Sequence, residues 1–317
     1  MIETRITKML NIQYPLLQGA MAWIATGRLA GAVSEAGGLG IIGAGTADPQ
    51  WLKNEIDQAR RTTQKPFGVN LVLVSPHIEE IIELVLRENI PVVTTGAGNP
   101  GRYMPRFKER GIKVIPVVAS VALARRLARQ GADAVIAEGM ESGGHVGEMT
   151  TMCLVPMVAD AVDIPVIAAG GIADGRGLVA ALALGAEGVQ MGTRFICAEE
   201  CSAHPAYKEK VVKARDRDTE VCGITTPHPV RAIRNRFVRY YLEQERAGLS
   251  AGELERLGAG RYPDAALRGD IEHGSILAGQ VAGLVNRVQP AHEIVSEVVR
   301  EAEALLRNSL GVNQCLD

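Results

Sequence analysis

Aromatic residues are scarce. Four Phe, two Trp and six Tyr make up 4% of the 317 residues. A β-sandwich core built on large rings is thereby disfavoured, and the interior must be filled by small and branched aliphatic side chains. Cysteine is sparse as well. The five cysteines (Cys153, Cys197, Cys201, Cys222 and Cys315) form no CxxC pair and no zinc-type spacing, and their odd number argues against a disulfide framework and for a reducing compartment. No apolar run approaches the ~18 residues of a membrane span, and the N-terminal segment MIETRITKMLNIQYP lacks the apolar stretch of a secretory leader. An excess of charge of either sign is missing too: 34 Lys and Arg against 36 Asp and Glu leave a formal net charge of -2, without the basic bias of a nucleic-acid binder. The expectation is a cytoplasmic protein with neither membrane nor nucleic acid as partner.

What the chain does have is aliphatic bulk and glycine. Hydrophobic residues reach 47%, and there are 35 glycines. Short apolar, β-branched runs recur at 14–18, 39–42, 68–73, 91–95, 114–118, 134–137, 166–169 and 188–191. Helical patterns fall between them, among others at 27–35, 49–61, 79–87, 121–129 and 177–184. The runs are continuously hydrophobic rather than alternating, which marks strands buried on both faces. Eight strand–helix units in some 200 residues match a TIM (β/α)8 barrel. A doubly wound open sheet is the alternative, but it usually carries a GxGxxG loop after its first strand. Here the first run ends in Gln18-Gly19-Ala20-Met21, and the densest glycine loops come late. Residues 198–270 are polar, helix-forming and poor in strand signals, and read as an inserted helical lid. The barrel then comprises 1–197 and 271–310, and 311–317 is a flexible tail.

The run PVIAAGGIADGRGLVAALALGAEGVQMGTRF (165–195) places Gly170-Gly171 and Gly192-Thr193 at the exits of the seventh and eighth strands. There, glycines allow backbone N–H groups to approach an anion, and the following helix N-terminus adds positive dipole. A phosphate cup is the functional reading; tight turns that merely permit strand–helix packing are the plain one. Upstream, EGMESGGH (138–145) brings Glu138 and His145 to the same rim. His145 is the rim group with a near-neutral reference pKa. Asn70 could bond a ring edge or form a turn, and Gln18 and Met21 could line a pocket or pack in the core. Of the other histidines, His77 and His228 are the better placed to face a substrate. Arg231, Arg234, Arg236 and Arg239 read either as a solvated or inter-subunit face or as an anion-facing patch. The rim lacks a cluster of three metal ligands and suits a flat, phosphate-bearing cofactor.

These motifs resemble the flavin-dependent enoyl-(acyl-carrier-protein) reductase II family, within the larger nitronate monooxygenase (2-nitropropane dioxygenase) group. The resemblance runs through PLLQGAMAW (15–23), SEAGGLGIIGAG (34–45), KPFGVNLVLVSP (65–76), VVTTGAGNP (92–100), KVIPVVAS (113–120), GADAVIAEGMESGGHVGEMTT (131–151) and GSILAGQVAGLV (274–285). KPFGVN, TTGAGNP and HPAYKEK (204–210) point to the reductase branch. The resemblance implies an FMN-binding barrel under a helical lid, with His145 catalytic. It implies FMN contacts from Ala20, Met21, Ala22, Asn70, Glu138, Gly143, Gly144, His145, Ala169, Gly170, Gly171, Met191, Gly192, Thr193 and Gln280. It further implies NADH or NADPH as reductant, an enoyl thioester on acyl carrier protein as substrate, a homodimer and, as in some relatives, stimulation by a monovalent cation. Two positions depart from the family pattern: Ala20 and Pro227 stand where relatives tend to have glycine. The alternative activity is oxidation of alkyl nitronates with FMN and oxygen. An IMP-dehydrogenase-like barrel would need a cysteine on the loop that here carries Gly143-Gly144-His145. A non-enzymatic flavin- or phosphate-binding module is the remaining class.

Overall fold

The computed structural model describes residues 2–310; the expected tail at 311–317 lies outside the described residues. In chain order the strands are β1 (Leu16–Gln18), β2 (Ile41–Gly43), β3 (Gly68–Val72), β4 (Val92–Gly96), β5 (Lys113–Val118), β6 (Val135–Glu138), β7 (Gly144–His145), β8 (Val166–Ala169), β9 (Gly188–Met191), β10 (Thr219–Cys222) and β11 (Val230–Ile233). Eight of them form one parallel sheet in the order β1-β9-β8-β6-β5-β4-β3-β2. All eight expected strands are present, each followed by a helix or helical turn, and the architecture is the TIM (β/α)8 barrel expected from the sequence.

The seam between β1 and β2 combines two backbone bonds, Gln18 N to Leu39 O and Leu39 N to Leu16 O at 2.9 Å each, with one side chain. Leu17 stands opposite Leu39, and Gln18 Oε1 accepts from Ile41 N at 3.1 Å while its Nε2 donates to Ile41 O at 3.2 Å. A primary amide offers both a donor and an acceptor, so it can stand in for a missing backbone partner. Gln18 is fully buried, which settles its role as the closure of the barrel rather than the lining of a pocket.

Two apolar layers surround the strands. Inside the barrel, Leu17, Leu39, Ile41, Val92, Ile115, Ile136 and Ile167 pack together, and Ile6 and Leu10 of the helix Arg5–Leu10 join them. Outside, the other faces of the strands meet the ring of helices. Glycine sets the closeness of this packing. A Cβ on Gly40 would lie 1.9 Å from the Ala30 carbonyl oxygen of the helix Gly27–Glu35, and one on Gly175 would lie 2.4 Å from Ala302 N of the terminal helix Ala291–Leu310.

The segment 198–270 is not purely helical. It contains the helices Pro205–Val212, Arg236–Arg246, Ala251–Gly258 and Arg261–Arg268, but also the antiparallel hairpin β10–β11. β11 pairs in turn with β7, giving a second, three-stranded sheet. The hairpin has its own small core of Cys222, Ala232, Phe237, Val238, Tyr241, Leu242 and Leu254. Asn235 anchors it. Its Oδ1 caps the helix Arg236–Arg246 by accepting from Val238 N at 2.9 Å, and its Nδ2 donates to Ile271 O and Gly274 O at 2.8 and 2.7 Å. Asn235→Ala removes a cap and strands two buried carbonyls, an expected cost of about 2–4 kcal/mol in urea unfolding. A loss under about 0.5 kcal/mol, the size of an ordinary surface change, would show that Asn235 is not an anchor.

Candidate active site at the C-terminal rim of the barrel

Parallel strands deliver all their C-terminal ends to one face, and the register shows which ends are neighbours. Glu138 stands opposite Ala169, Ala169 opposite Gln190, and Met191 opposite Gln18. The exits of β6, β8, β9 and β1 thus form one arc carrying Glu138, Ala169-Gly170-Gly171, Met191-Gly192-Thr193 and Ala20-Met21-Ala22. Asn70 extends the arc from β3. It sits within the strand rather than in a turn, laddered to Gly43 and Thr94, and its Nδ2 donates to Thr94 Oγ1 at 3.0 Å. Gly43 lies directly under Met21, since a Cβ there would come within 2.6 Å of the Met21 carbonyl oxygen.

The two glycine loops differ in what requires them. Gly170 and Gly171 have φ of +85° and +72°, the left-handed region that only glycine enters freely. A Cβ on Gly170 would also meet Gly139 O at 2.7 Å. Neither N–H is used in a hydrogen bond among the described residues. Gly192 has an ordinary φ of -104°, and the first atom a Cβ would meet is Met21 Sδ at 3.9 Å. The space in front of Gly192 is therefore open, a cradle that a side chain would fill.

Two backbone loops close over this arc. A Cβ on Gly143 would lie 2.6 Å from Ala278 Cα, and one on Gly279 would lie 2.6 Å from Glu141 O. Three bonds fix the 277–280 loop: Tyr207 donates its hydroxyl proton to Leu277 O at 2.7 Å, Gly279 N donates to Thr193 Oγ1 at 2.8 Å, and Gln280 N donates to Glu141 O at 2.9 Å. Thr193 is thus partly spent on structure, whereas the Gln280 side chain is exposed at the rim.

His145 does not belong to the barrel sheet. It lies on β7, with Val230 of β11 opposite it and Arg231 opposite Gly144. Its ring is open to solvent, yet crowded enough that desolvation lowers its pKa, with the His228 imidazole lowering it further. The two rings meet edge to face, with centroids 6.0 Å apart. His77, by contrast, precedes the helix Ile78–Arg87 with only Glu80 beside it, at 4.0 Å. Glu138 is half-buried at the end of β6, and desolvation of its carboxyl raises the pKa to about 7; the neighbouring Ser142 hydroxyl offsets part of that rise. Ser142 Oγ is itself buried with no partner of hydrogen-bonding geometry. A carboxyl that titrates near 7 and a buried Ser142 hydroxyl beside the Gly170-Gly171 loop fit a ligand that brings several oxygens, such as a phosphate with a polyol arm.

Two residues, Ser142 and Glu141, matter here without having stood out in the sequence, and Arg231 takes a different role from those expected. Ser142 lies inside the EGMESGGH motif, which was the available signal. The Glu141 carboxylate accepts from Thr151 N at 3.0 and 2.9 Å, capping the helix Thr151–Ala159 and fixing the histidine loop from behind. Arg231 is neither solvated nor anion-facing. It is buried, and its Nε donates to Met140 O at 3.1 Å and its NH1 to Thr219 Oγ1 at 3.3 Å. Its neighbour Arg234 pairs with Glu220 at 2.5 Å. Among the described residues no cluster of His, Cys, Asp and Glu is arranged to hold a metal ion, and no helix is long and apolar enough to cross a membrane.

With this geometry in view, the likeness to known proteins covers the same ground. The family model for nitronate monooxygenase matches residues 3–83 and 74–301. The solved structure of FabK from Thermotoga maritima superposes with a TM-score of 0.95 at 51% identity, covering 98% of this chain and all of that one. A probable nitronate monooxygenase of Staphylococcus saprophyticus is 34% identical over 96% of this chain and 99% of its own length. An indene-carboxyl-CoA dehydrogenase of Mycobacterium tuberculosis is 33% identical over 95% and 96%. The chain belongs to the nitronate monooxygenase family.

Proposed function

We propose that this protein reduces the double bond of a trans-2-enoyl thioester carried on acyl carrier protein, using NADH or NADPH through bound FMN. The carrying observation is the full-length likeness to FabK, an enoyl-(acyl-carrier-protein) reductase II, at 51% identity. Nitronate monooxygenases and FabK are FMN enzymes, and the Mycobacterium tuberculosis relative is named for a CoA-linked carboxyl substrate, so thioester chemistry occurs on this scaffold. When bound, FMN supplies the hydride relay between nicotinamide and the enoyl β-carbon.

The chain's own residues bind, orient and handle protons. The free N–H groups of Gly170 and Gly171 and the open space before Gly192 suit the phosphate. Glu138, held at a pKa of about 7 by burial, donates a hydrogen bond in its neutral form to a polyol oxygen, and Ser142 is positioned for the same arm. Gly143 and Gly144 would bring backbone to the flavin edge. His145, with its pKa lowered, is a neutral imidazole near pH 7. Its N–H bonds the thioester oxygen as enolate charge develops there, and the ring passes a proton to the enolate. Positioned acid help of this kind is worth ~10²–10⁴-fold.

Nitronate oxidation remains the second reading, favoured by the Staphylococcus saprophyticus relative. There His145 would accept the substrate proton instead. An anaerobic titration separates the two. Bleaching of the flavin by NADH or NADPH, followed by its recovery on adding crotonyl thioester, is the reductase outcome. Recovery that requires oxygen and a nitronate is the other.

His145→Ala should retain FMN within about threefold while losing ~10²–10⁴ in enoyl-thioester kcat/KM. Wild-type steady-state turnover in that variant would remove the assigned role. Glu138→Gln tests the buried acid in the ligand-free protein. Because the folded pKa lies above the unfolded value of ~4.3, the folded state holds the proton longer. The wild-type protein therefore loses stability as pH rises from ~4.3 to about 7 and no further. Thermal melting across pH 5–8 should show the variant gaining on wild type over that window and then running parallel; a constant gap would show that Glu138 titrates normally.

A further inference from the structure

The hairpin loop that faces His145 is built rather than loose. Glu245 holds it from the helix Arg236–Arg246: its carboxylate accepts from Gly223 N at 3.0 Å and from Thr225 N and Thr225 Oγ1 at 2.8 Å. Thr226 Oγ1 donates to Gly223 O at 2.7 Å and accepts from His228 N at 3.2 Å. Pro227 and Pro229 flank His228 and lock φ on either side of it. Val146 N then bonds Pro229 O at 3.1 Å, joining the loop to the residue after His145. The outcome is one imidazole edge set against the other's face, with centroids 6.0 Å apart and planes at 88°.

Apart from Glu148, which is exposed, the other charged groups around this pair are held by partners or half-buried. On the histidine loop, Glu141 caps the helix Thr151–Ala159, and Glu148 is exposed. On β11 and the hairpin, Arg231 bonds Met140 and Thr219, Arg234 pairs with Glu220, and Glu245 is spent on the loop. Glu138 is half-buried at the end of β6. The ionisable group acting on the His145 ring is His228, which disfavours its charged form. Both histidines are exposed to solvent, and His228 precedes the β11 residue Val230 that stands opposite His145.

We propose that His228 is the positioning partner of His145, and that the two imidazoles work as one unit holding a single proton, with His228 exchanging it with solvent and His145 facing the substrate. The substrate half of this statement rests on the enoyl reduction proposed above. There, His145 gives its N–H proton to the enolate formed when hydride reaches the β-carbon. Its other nitrogen takes a proton from the His228 imidazolium through one water, since the edge-to-face rings share no direct hydrogen bond. Neutral His228 is then reprotonated from solvent. One proton leaves solvent, one C–H bond forms on the substrate, and no electrons move in the relay.

The test is NMR titration of the imidazole Cε1–H signals in the FMN-loaded protein, comparing wild type with His228→Gln and His228→Lys. Gln removes the neighbouring charge, so the His145 titration moves up by ~0.5–1 pH units. Lys keeps a positive charge at every pH used, so the His145 titration moves down. Opposite movements support the pair. No movement in either variant, or movement of both in one direction as a purely structural disturbance would give, overturns it. A kinetic arm tests the relay. His228→Gln is expected to lose ~10-fold or more in enoyl-thioester kcat with KM within about twofold, most strongly above pH 7, and wild-type kcat across the pH range overturns it. The titration needs no turnover. Opposite movements in a protein that fails to reduce any enoyl thioester support the pair and sink the reductase reading alone.

Discussion

The pairing of β7 with β11 is the contact on which the site depends. The chain leaves the barrel at Glu138 and returns at the helix Thr151–Ala159. Between them His145 has no barrel strand to lean on. It is held by a ladder to a hairpin that arrives some 85 residues later, and by Arg231, whose guanidinium reaches across that ladder to Met140 O. The segment 198–270 therefore does more than cover the rim: it supplies the wall that carries the histidine. The glycines at 143 and 279 follow from the same arrangement, because two backbones in contact leave no room for a side chain on either. Any movement of the hairpin moves His145 with it, which couples access to the site and placement of its imidazole through one element.

Much of the barrel was legible in the chain because burial on both faces makes each strand continuously apolar, and because glycine punctuates each strand exit. The rim residues followed from the same logic: once the strands are placed, their ends must converge. What stayed hidden has a common cause. β10 and β11 have four residues each, with Glu220 and Arg231 interleaved among apolar positions, so the alternation is too short to stand out from a helical background. Arg231 looked like surface because its partners, Met140 O and Thr219, lie 91 and 12 residues away. Gln18 looked like a rim candidate because its actual partner, the backbone of Ile41, belongs to a different strand. Local pattern reports which face is buried; it does not report which polar group waits there.

The electrostatics of the rim shift both of its titratable groups toward their neutral forms. Burial raises the Glu138 carboxyl to about 7, and desolvation together with a second imidazole lowers His145. Both groups are thereby less charged than they would be in water. Positive potential for a phosphate then comes from backbone N–H groups, which need no counter-ion and do not titrate.

Among the described residues the thiols are poorly suited to a competing chemistry. Burial pushes Cys197 and Cys222 up to about 12 and Cys201 to about 11, far from the thiolate that a nucleophile requires. Cys153 is exposed, but it sits on the helix Thr151–Ala159, after the rim loop rather than in it. A barrel that forms a covalent bond to its substrate through sulfur would need a reactive thiol where this chain places Gly143, Gly144 and His145. The loop instead presents backbone and an imidazole, groups that can orient and protonate but do not form a lasting covalent intermediate with a thioester. The rim loop thus owes its chemical character to an imidazole, and the pairing of β7 with β11 sets a second imidazole, His228, beside it.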